Sequence, residues 1–458
     1  VSTFPITRPE PSAPRPYHFP RFERTTLENG LVLVVAPMPK LPIVTMMLLA
    51  DAGAMAEDAM PDGVASLTAR ALVEGTTRTG AAELTERLER LGASVYAEGD
   101  WDAAVVGMSV LRSQLDAAVA LFAEIVTSPA FPVREVERLK SERLAEILQL
   151  RAEPRGLADE IYGQALYAKG SRYARPERGS AGSVAQLSPT ALTAFHAARF
   201  RPAGSTLIMT GDITAADAKT IAMRALGAWS GSAASAARVS DAPARTTRML
   251  HLVDRPDAPQ SEIRLGHVGL PRSHPDHFPA MLMNALLGGL FSSRINLNLR
   301  ERHAYTYGAH SGFDWRRGAG PFVVSTAVQS DVTAAAVREI LTEIDAIRTA
   351  PVTASELELA TSYLAGVFPI KYETTDAVAR ALAAMEVFTL PADYFDTYRD
   401  KVRAVTAADV LDAAQRHLHP DAMQLVVVGD AAAARAPLEA LNFGAISAYA
   451  PDGTPRGA

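Results

Sequence analysis

Two polar side chains able to do chemistry stand seven residues apart in the segment LRERHAYTYG, residues 299–308: Arg300 and Tyr307. A guanidinium is a permanent planar fork of donors and a phenol is a neutral donor. Together they suit a peptide carbonyl on which negative charge develops, a task that needs no nucleophile. Tyr305 competes with Tyr307 for that part, because residues two apart on an extended strand share a face. Taken alone, the segment also has a plainer reading. Arg300 then closes a helix against its macrodipole, and the tyrosines are ordinary strand aromatics.

Few other groups offer a reaction. The chain has no cysteine, which removes disulfides, thiolate nucleophiles and sulfur ligands, and fits either a bacterial cytoplasm or a periplasm. Its histidines are scattered. The first half holds only His18 and His196. His274 and His277, in PRSHPDHF, are close in sequence but lie across a turn into a helix. His417 and His419 flank a helix end beside Pro420 and suit capping or surface duty, while His303 and His310 bracket the Arg/Tyr segment without a trio of carboxylates. From these spacings no hydrolytic metal centre, and no cofactor, is expected in this chain. The serines of GLFSSR look superficially like a nucleophile elbow, but they fall in an expected helix rather than at a strained strand-to-helix turn. Two late strands end in Gly-Asp (211–212 and 429–430) without a glycine-rich phosphate loop, so both read as strand-end turns.

The elements that must position these residues follow a repeated plan. With 458 residues, 48% apolar and 21% charged, the chain is of the soluble globular class and too long for one core. A net charge of −6 gives no electrostatic reason to expect nucleic acid or an anionic membrane, and no apolar run approaches the roughly 20 residues of a membrane span. A proline-rich arm (1–20) leads into a first unit (21–229), and small polar residues mark a linker (230–247). A second unit (248–445) and a short tail (446–458) complete the division. In the first unit, FERTTLENGLVLVVAP and PIVTMMLLADAG read as a hairpin-like pair with a turn at Asn29-Gly30. Helices are expected at 63–74, 80–91, 115–127 and 133–151, with one strand across VYAEGDWDAAVVGMSVL. In the second unit a helix is expected through 277–301, a strand hairpin over 305–330 and a helix from the Asp331/Thr333 cap. Strands grouped with helices, rather than alternating with them, predict a duplicated α+β architecture.

Five blocks in order carry a resemblance: LENGLVLVV, GVASLTARALVEGT (63–76), RFRPAGSTLIMTGDI (199–213), NALLGGLFSSRINLNLRERHAYTYG (284–308) and VTAADVLDAAQRHLHPD (405–421). They resemble the M16 family of zinc peptidases, the group containing pitrilysin, insulin-degrading enzyme and mitochondrial processing peptidase, from about residue 20 to 440. The resemblance implies two homologous M16-type α/β sandwich domains, each an antiparallel-rich sheet packed by helices. Active members carry His-x-x-Glu-His in the helix that here reads GVASLTARALVEGT. There two histidines one turn apart hold Zn2+ and the glutamate serves as base. The matching positions are Ser66, Ala69 and Arg70, none of which can play those parts. The family's distant glutamate ligand matches Glu146, which is retained and is expected to pair with Arg70 or to face solvent.

The Arg and Tyr that family enzymes present to peptide beside the metal match Arg300 and Tyr307. The resemblance therefore implies a non-zinc subunit of a heteromeric M16-type metallopeptidase. It would bind an extended peptide and present Arg300 and Tyr307 to the zinc site of a His-x-x-Glu-His partner, as a heterodimer or dimer of heterodimers, with a homodimer also open. By the same likeness, peptide could add to a sheet edge near 94–110. The alternative is a non-enzymatic scaffold that binds or stabilises partners and cuts nothing.

Overall fold

The computed structural model describes residues 16–235 and 239–456, so residues 1–15 of the expected arm lie outside the described residues. The chain forms two sheet-plus-helix domains of one design. The first sheet comprises β1 (Glu23–Thr26), β2 (Val32–Pro37), β3 (Ile43–Ala50), β4 (Ser94–Gly99), β5 (Ala104–Leu111) and β6 (Ser205–Gly211). The second comprises β7 (Met249–Asp254), β8 (Gln260–Val268), β9 (Ala309–Phe313), β10 (Pro321–Gln329), β11 (Gln424–Gly429) and β12 (Ala445–Tyr449). Their orders are β1-β2-β6-β3-β5-β4 and β12-β7-β11-β8-β10-β9.

In each sheet a late strand slots between two early ones. β6 runs parallel to β2 and antiparallel to β3, and β11 stands in the same way to β7 and β8. The hairpin-like pair expected at the start is therefore divided. Asn29-Gly30 does turn β1 back on β2, with Gly30 at φ +87°, but β6 separates β2 from β3. The reason lies in the residues: β6 (STLIMTG) and β11 (QLVVVG) are buried along their whole length, as central strands covered on both faces require. The single strand expected across 95–111 is instead the β4–β5 hairpin, which leaves β4 at the sheet edge.

One face of each sheet packs on helices of its own half. The helices Val64–Ala71, Leu115–Thr127 and Ala215–Leu226 cover the first sheet, while Thr333–Thr349 and Ala407–His417 cover the second. The opposite faces are covered by exchange. The helix Thr375–Phe388, late in sequence, lays Val378, Ala379, Leu382 and Met385 on Val34, Ala36, Met47 and Ile208 of the first sheet. The helix Pro154–Leu166, early in sequence, lays Leu157, Ala158, Ile161 and Tyr162 on Val253, Val426 and Val428 of the second.

Polar bonds register each docking. Thr210 Oγ1 donates to the Thr375 carbonyl at 2.8 Å, and the Tyr162 hydroxyl donates to the Phe322 carbonyl at 2.5 Å. Gly266 makes room for the second bond, since a Cβ there would lie 2.4 Å from the Tyr162 oxygen. Asp102, buried at the same junction, accepts the Arg317 backbone N–H at 2.9 Å.

The long amphipathic helices fall at 115–127 and 133–152, within a residue of expectation. The helix expected through 277–301 is broken. It runs as His277–Asn284, a wide π-type turn at Ala285–Gly289, a bend at 290–293, one turn at Arg294–Asn296 and a second π-type turn at Leu297–Arg302. The Ser292-Ser293 pair therefore lies in a bend and not inside a helix. Among the described residues no helix is long and apolar enough to cross a membrane.

Candidate functional site

The helix Val64–Ala71 carries Ser66, Ala69 and Arg70. Ala69 is 0% exposed and has no acid–base atom, and Ser66 is 8% exposed. Arg70 reaches across to the helix Val133–Ala152, where Nη1 donates to Glu146 Oε1 at 2.9 Å and Nη2 to Glu142 Oε2 at 2.7 Å. The pair expected from sequence is present, and Glu142 joins it. The network continues on both sides: Arg138 bonds Glu142 at 2.7 Å and Glu74 at 2.7 Å, and Arg143 Nε lies 3.2 Å from Glu146 Oε2. Every carboxylate in this strip already has a guanidinium partner. A permanent cation thus ties the two helices, and the donor set does not fit a zinc ion here.

Arg300 and Tyr307 sit on a braced loop of the second domain. Asn298 donates from Nδ2 to Glu339 at 3.1 Å and Glu343 at 2.7 Å, fixing the π-type turn to the helix Thr333–Thr349. Asn296 bonds the Phe291 carbonyl at 2.6 Å and accepts the Ala309 N–H at 3.0 Å, which ties the entrance of the loop to the start of β9. The chain reverses at Ala304, a non-glycine residue at φ +54°. This is a sparsely populated conformation that persists only when its surroundings enforce it.

Past that reversal the two tyrosines part company, because residues 305–308 are not strand. Tyr305 packs on the second core and stacks on His303 with centroids 4.9 Å apart. Tyr307 is 93% exposed, at a tip clasped by Thr306, whose Oγ1 donates to the Gly308 carbonyl at 2.9 Å and accepts its N–H at 3.1 Å. Arg300, half exposed, lies with Cζ 4.6 Å over the exposed Phe291 ring and Nε 3.4 Å from Glu301. The structure thus presents a phenol and a guanidinium outward on one loop. No contact between the two is present among the described residues.

The histidines require a correction. The expectation of no cofactor-binding group in this chain is overturned by His274, Asp276 and His417, whose ligating atoms lie within 4.8 Å of one another. His417 Nε2 is 2.6 Å from Asp276 Oδ2, and His274 Nδ1 is 3.8 Å from the same oxygen. Sequence spacing paired His274 with His277 and His417 with His419. In the fold, His277 turns inward against Trp315, centroids 4.4 Å apart, and burial lowers its pKa to about 3. Asp276 takes the place that spacing gave to His277, and it lies 141 residues from His417 in the chain. Burial pushes the Asp276 carboxyl upward, but the hydrogen bond from His417 and the charge of Arg416 outweigh it, holding the carboxyl below its ordinary value.

Two sheet-plus-helix domains of one design, each covered partly by a helix of the other, define a two-lobed α/β architecture. Residues 33–176 match the model of the insulinase family (peptidase family M16), and residues 186–364 match that of the peptidase M16 inactive domain. The chain belongs to the M16 peptidase superfamily. It is 24% identical over 415 residues to an uncharacterized zinc protease of Mycobacterium tuberculosis, covering 90% of this chain and 94% of the relative. It is 26% identical over 277 residues to the probable mitochondrial-processing peptidase subunit beta of Schizosaccharomyces pombe, 59% of each chain. Among solved structures, the peptidase M16 inactive domain from Pseudomonas fluorescens superposes with a TM-score of 0.84 at 27% identity, over 89% of this chain and 98% of that one. A protease from Helicobacter pylori shares the fold, with a TM-score of 0.82 at 17% identity over 89% and 99%.

Proposed function

We propose that this chain is the subunit of a heteromeric M16-type zinc peptidase that does not carry the catalytic zinc on its 64–71 helix, and that it presents Arg300 and Tyr307 to the zinc site of a partner chain bearing His-x-x-Glu-His. The observation that carries this reading is the contrast between the two half-sites. Arg70 and its carboxylates close the first, whereas the second holds Tyr307 outward at 93% exposure on a loop braced by Asn296, Asn298 and Thr306. A phenol so placed contributes nothing to its own fold and suits an oxyanion on a peptide held opposite. Arg300 would orient the peptide's carbonyls as a charged fork. The edge strand β4 would take an extended peptide by backbone pairing, which suits substrates of varied sequence.

A partner would dock on an exposed apolar helix face. Leu359, Tyr363 and Ile370 are exposed on the helix Ala354–Lys371, and steps of four and seven residues put them on one face.

The test is cleavage of an unstructured peptide by this chain alone, by the zinc-bearing M16 chain alone and by their mixture, each repeated with R300A and Y307F. Activity is expected in the mixture, with kcat lower by about 10²–10³ for Y307F, the usual cost of one oxyanion donor. An equally active mixture with both substitutions would leave this chain a scaffold.

A further inference from the structure

We propose that His274, Asp276 and His417 form a binding site for a divalent transition-metal ion, Zn2+ foremost, at a place in the fold remote in sequence from the family's inter-helix site. Asp276 stands at the entrance of the helix His277–Asn284, and His417 is the last residue of the helix Ala407–His417, against which it packs. The ion would therefore clamp a helix start to a helix end.

The donors suit that ion. Two imidazoles and one carboxylate with an open fourth position make a recurrent zinc set, and ligand atoms about 2.0–2.1 Å from a tetrahedral ion lie about 3.3 Å apart. The two separations from Asp276 given above, 2.6 and 3.8 Å, fall on either side of that spacing, and all three ligating atoms lie within 4.8 Å of one another, so rotation of the side chains would draw them onto one ion. His274 Nδ1 accepts the Asp276 backbone N–H at 3.1 Å, so this nitrogen carries no proton, and binding an ion would exchange that hydrogen bond for the metal. The imidazole rings of His274 and His417 are 5.0 Å apart, and those of His267 and His419 another 5.0 Å apart nearby, so one corner of the domain gathers four imidazoles.

One group opposes the ion. Arg416 Nη1 donates to the same Asp276 Oδ2 at 2.5 Å. Arg416 also bonds Asp412 through Nη2, so it has a second carboxylate to keep when a metal arrives. The guanidinium thus competes with a metal for the Asp276 carboxylate, and its removal should tighten metal binding.

The experiment titrates Zn2+ into the metal-stripped chain by calorimetry and follows Co2+ by its visible absorption. One ion per chain with tetrahedral Co2+ bands is expected. H274A, at a partly exposed residue, should weaken binding by more than the roughly 10–100-fold typical of losing an outer-shell partner, with circular dichroism checking its fold. H417A should do the same, with circular dichroism checking its fold. R416Q should tighten binding up to about fivefold, the range of one exposed ion pair. E146Q should change nothing. Absence of stoichiometric binding, or binding unaffected by H274A, would overturn the assignment. So would loss with E146Q instead, since that would move the ion to the 64–71 helix.

Discussion

Leu382 offers the sharpest test of how the two domains are held. It is 1% exposed and belongs to the helix Thr375–Phe388, yet it packs on Val34, Met47 and Ile208 of the other half's sheet. Truncating a buried leucine to alanine costs about 2–5 kcal/mol, transfer and cavity terms together. Taking about 3 kcal/mol, the shift in Tm depends on how much of the chain melts with it. Unfolding entropy near 2.1 cal/mol/K per residue gives about 1 kcal/mol/K for all 458 residues, hence a fall of about 3 °C if both domains unfold together. If one half of about 220 residues melted alone, the fall would be about 6–7 °C and confined to that half. The assay uses single-tryptophan variants retaining Trp229, on the first core, or Trp315, stacked on Phe313 in the second. Because each sheet is capped by a helix from the opposite half, L382A should move both fluorescence transitions together and by the smaller amount. Separate transitions, with only one displaced, would refute the idea that the exchanged helices make one cooperative unit.

Asp102 gives a pH dependence of definite sign. Burial raises its carboxyl to about 6, with the Arg317 N–H and nearby arginines pulling the other way. Below about pH 4 both states are protonated. Between about 4 and 6 the unfolded chain gives up its proton first, so stability falls by about 3 kcal/mol as pH rises through that window and then levels. D102N keeps the acceptor for Arg317, so in thermal melts it should flatten this decline and stabilise the chain above pH 6. R70A should cost only about 1 kcal/mol, because the pairs are part-exposed and Arg138 and Arg143 remain, and the loss in urea titrations should shrink in 1 M salt. A304G relieves a left-handed alanine and should leave stability equal or higher by about 1 kcal/mol in the same titrations. L359D/Y363D should abolish co-purification with the zinc-bearing chain while leaving the Tm of this chain within about 1 °C, since both side chains are exposed.

The parts of the fold legible in sequence are those decided locally. The helices at 115–127 and 133–152 follow a 3.6-residue apolar rhythm, and the Arg70–Glu146 pair was open to inference from the two charges. What was not legible depends on distant chain. β6 enters between β2 and β3 from about 160 residues downstream, and nothing in LVLVVAP announces that neighbour. The segment 284–302 has a helical pattern throughout, but its glycines and the anchoring of Asn296 and Asn298 divide it into wide turns. That division also separates Tyr305 from Tyr307, which strand alternation would have put on one face. His274 and His417 misled because their nearest sequence neighbours, His277 and His419, seemed the natural partners. The carboxylate between them, in HPD, was the available signal.

The exchange of covering helices also bears on biosynthesis. The first sheet is complete in sequence at Gly211, but the helix that shields Val34, Met47 and Ile208 begins at Thr375. At about 5–20 residues per second, the ribosome needs on the order of 10–30 s to make the intervening chain. For that interval a finished sheet holds an oily face open to solvent. A ribosome stalled between these two points would therefore leave a product with that apolar face uncovered, the kind of surface that promotes aggregation.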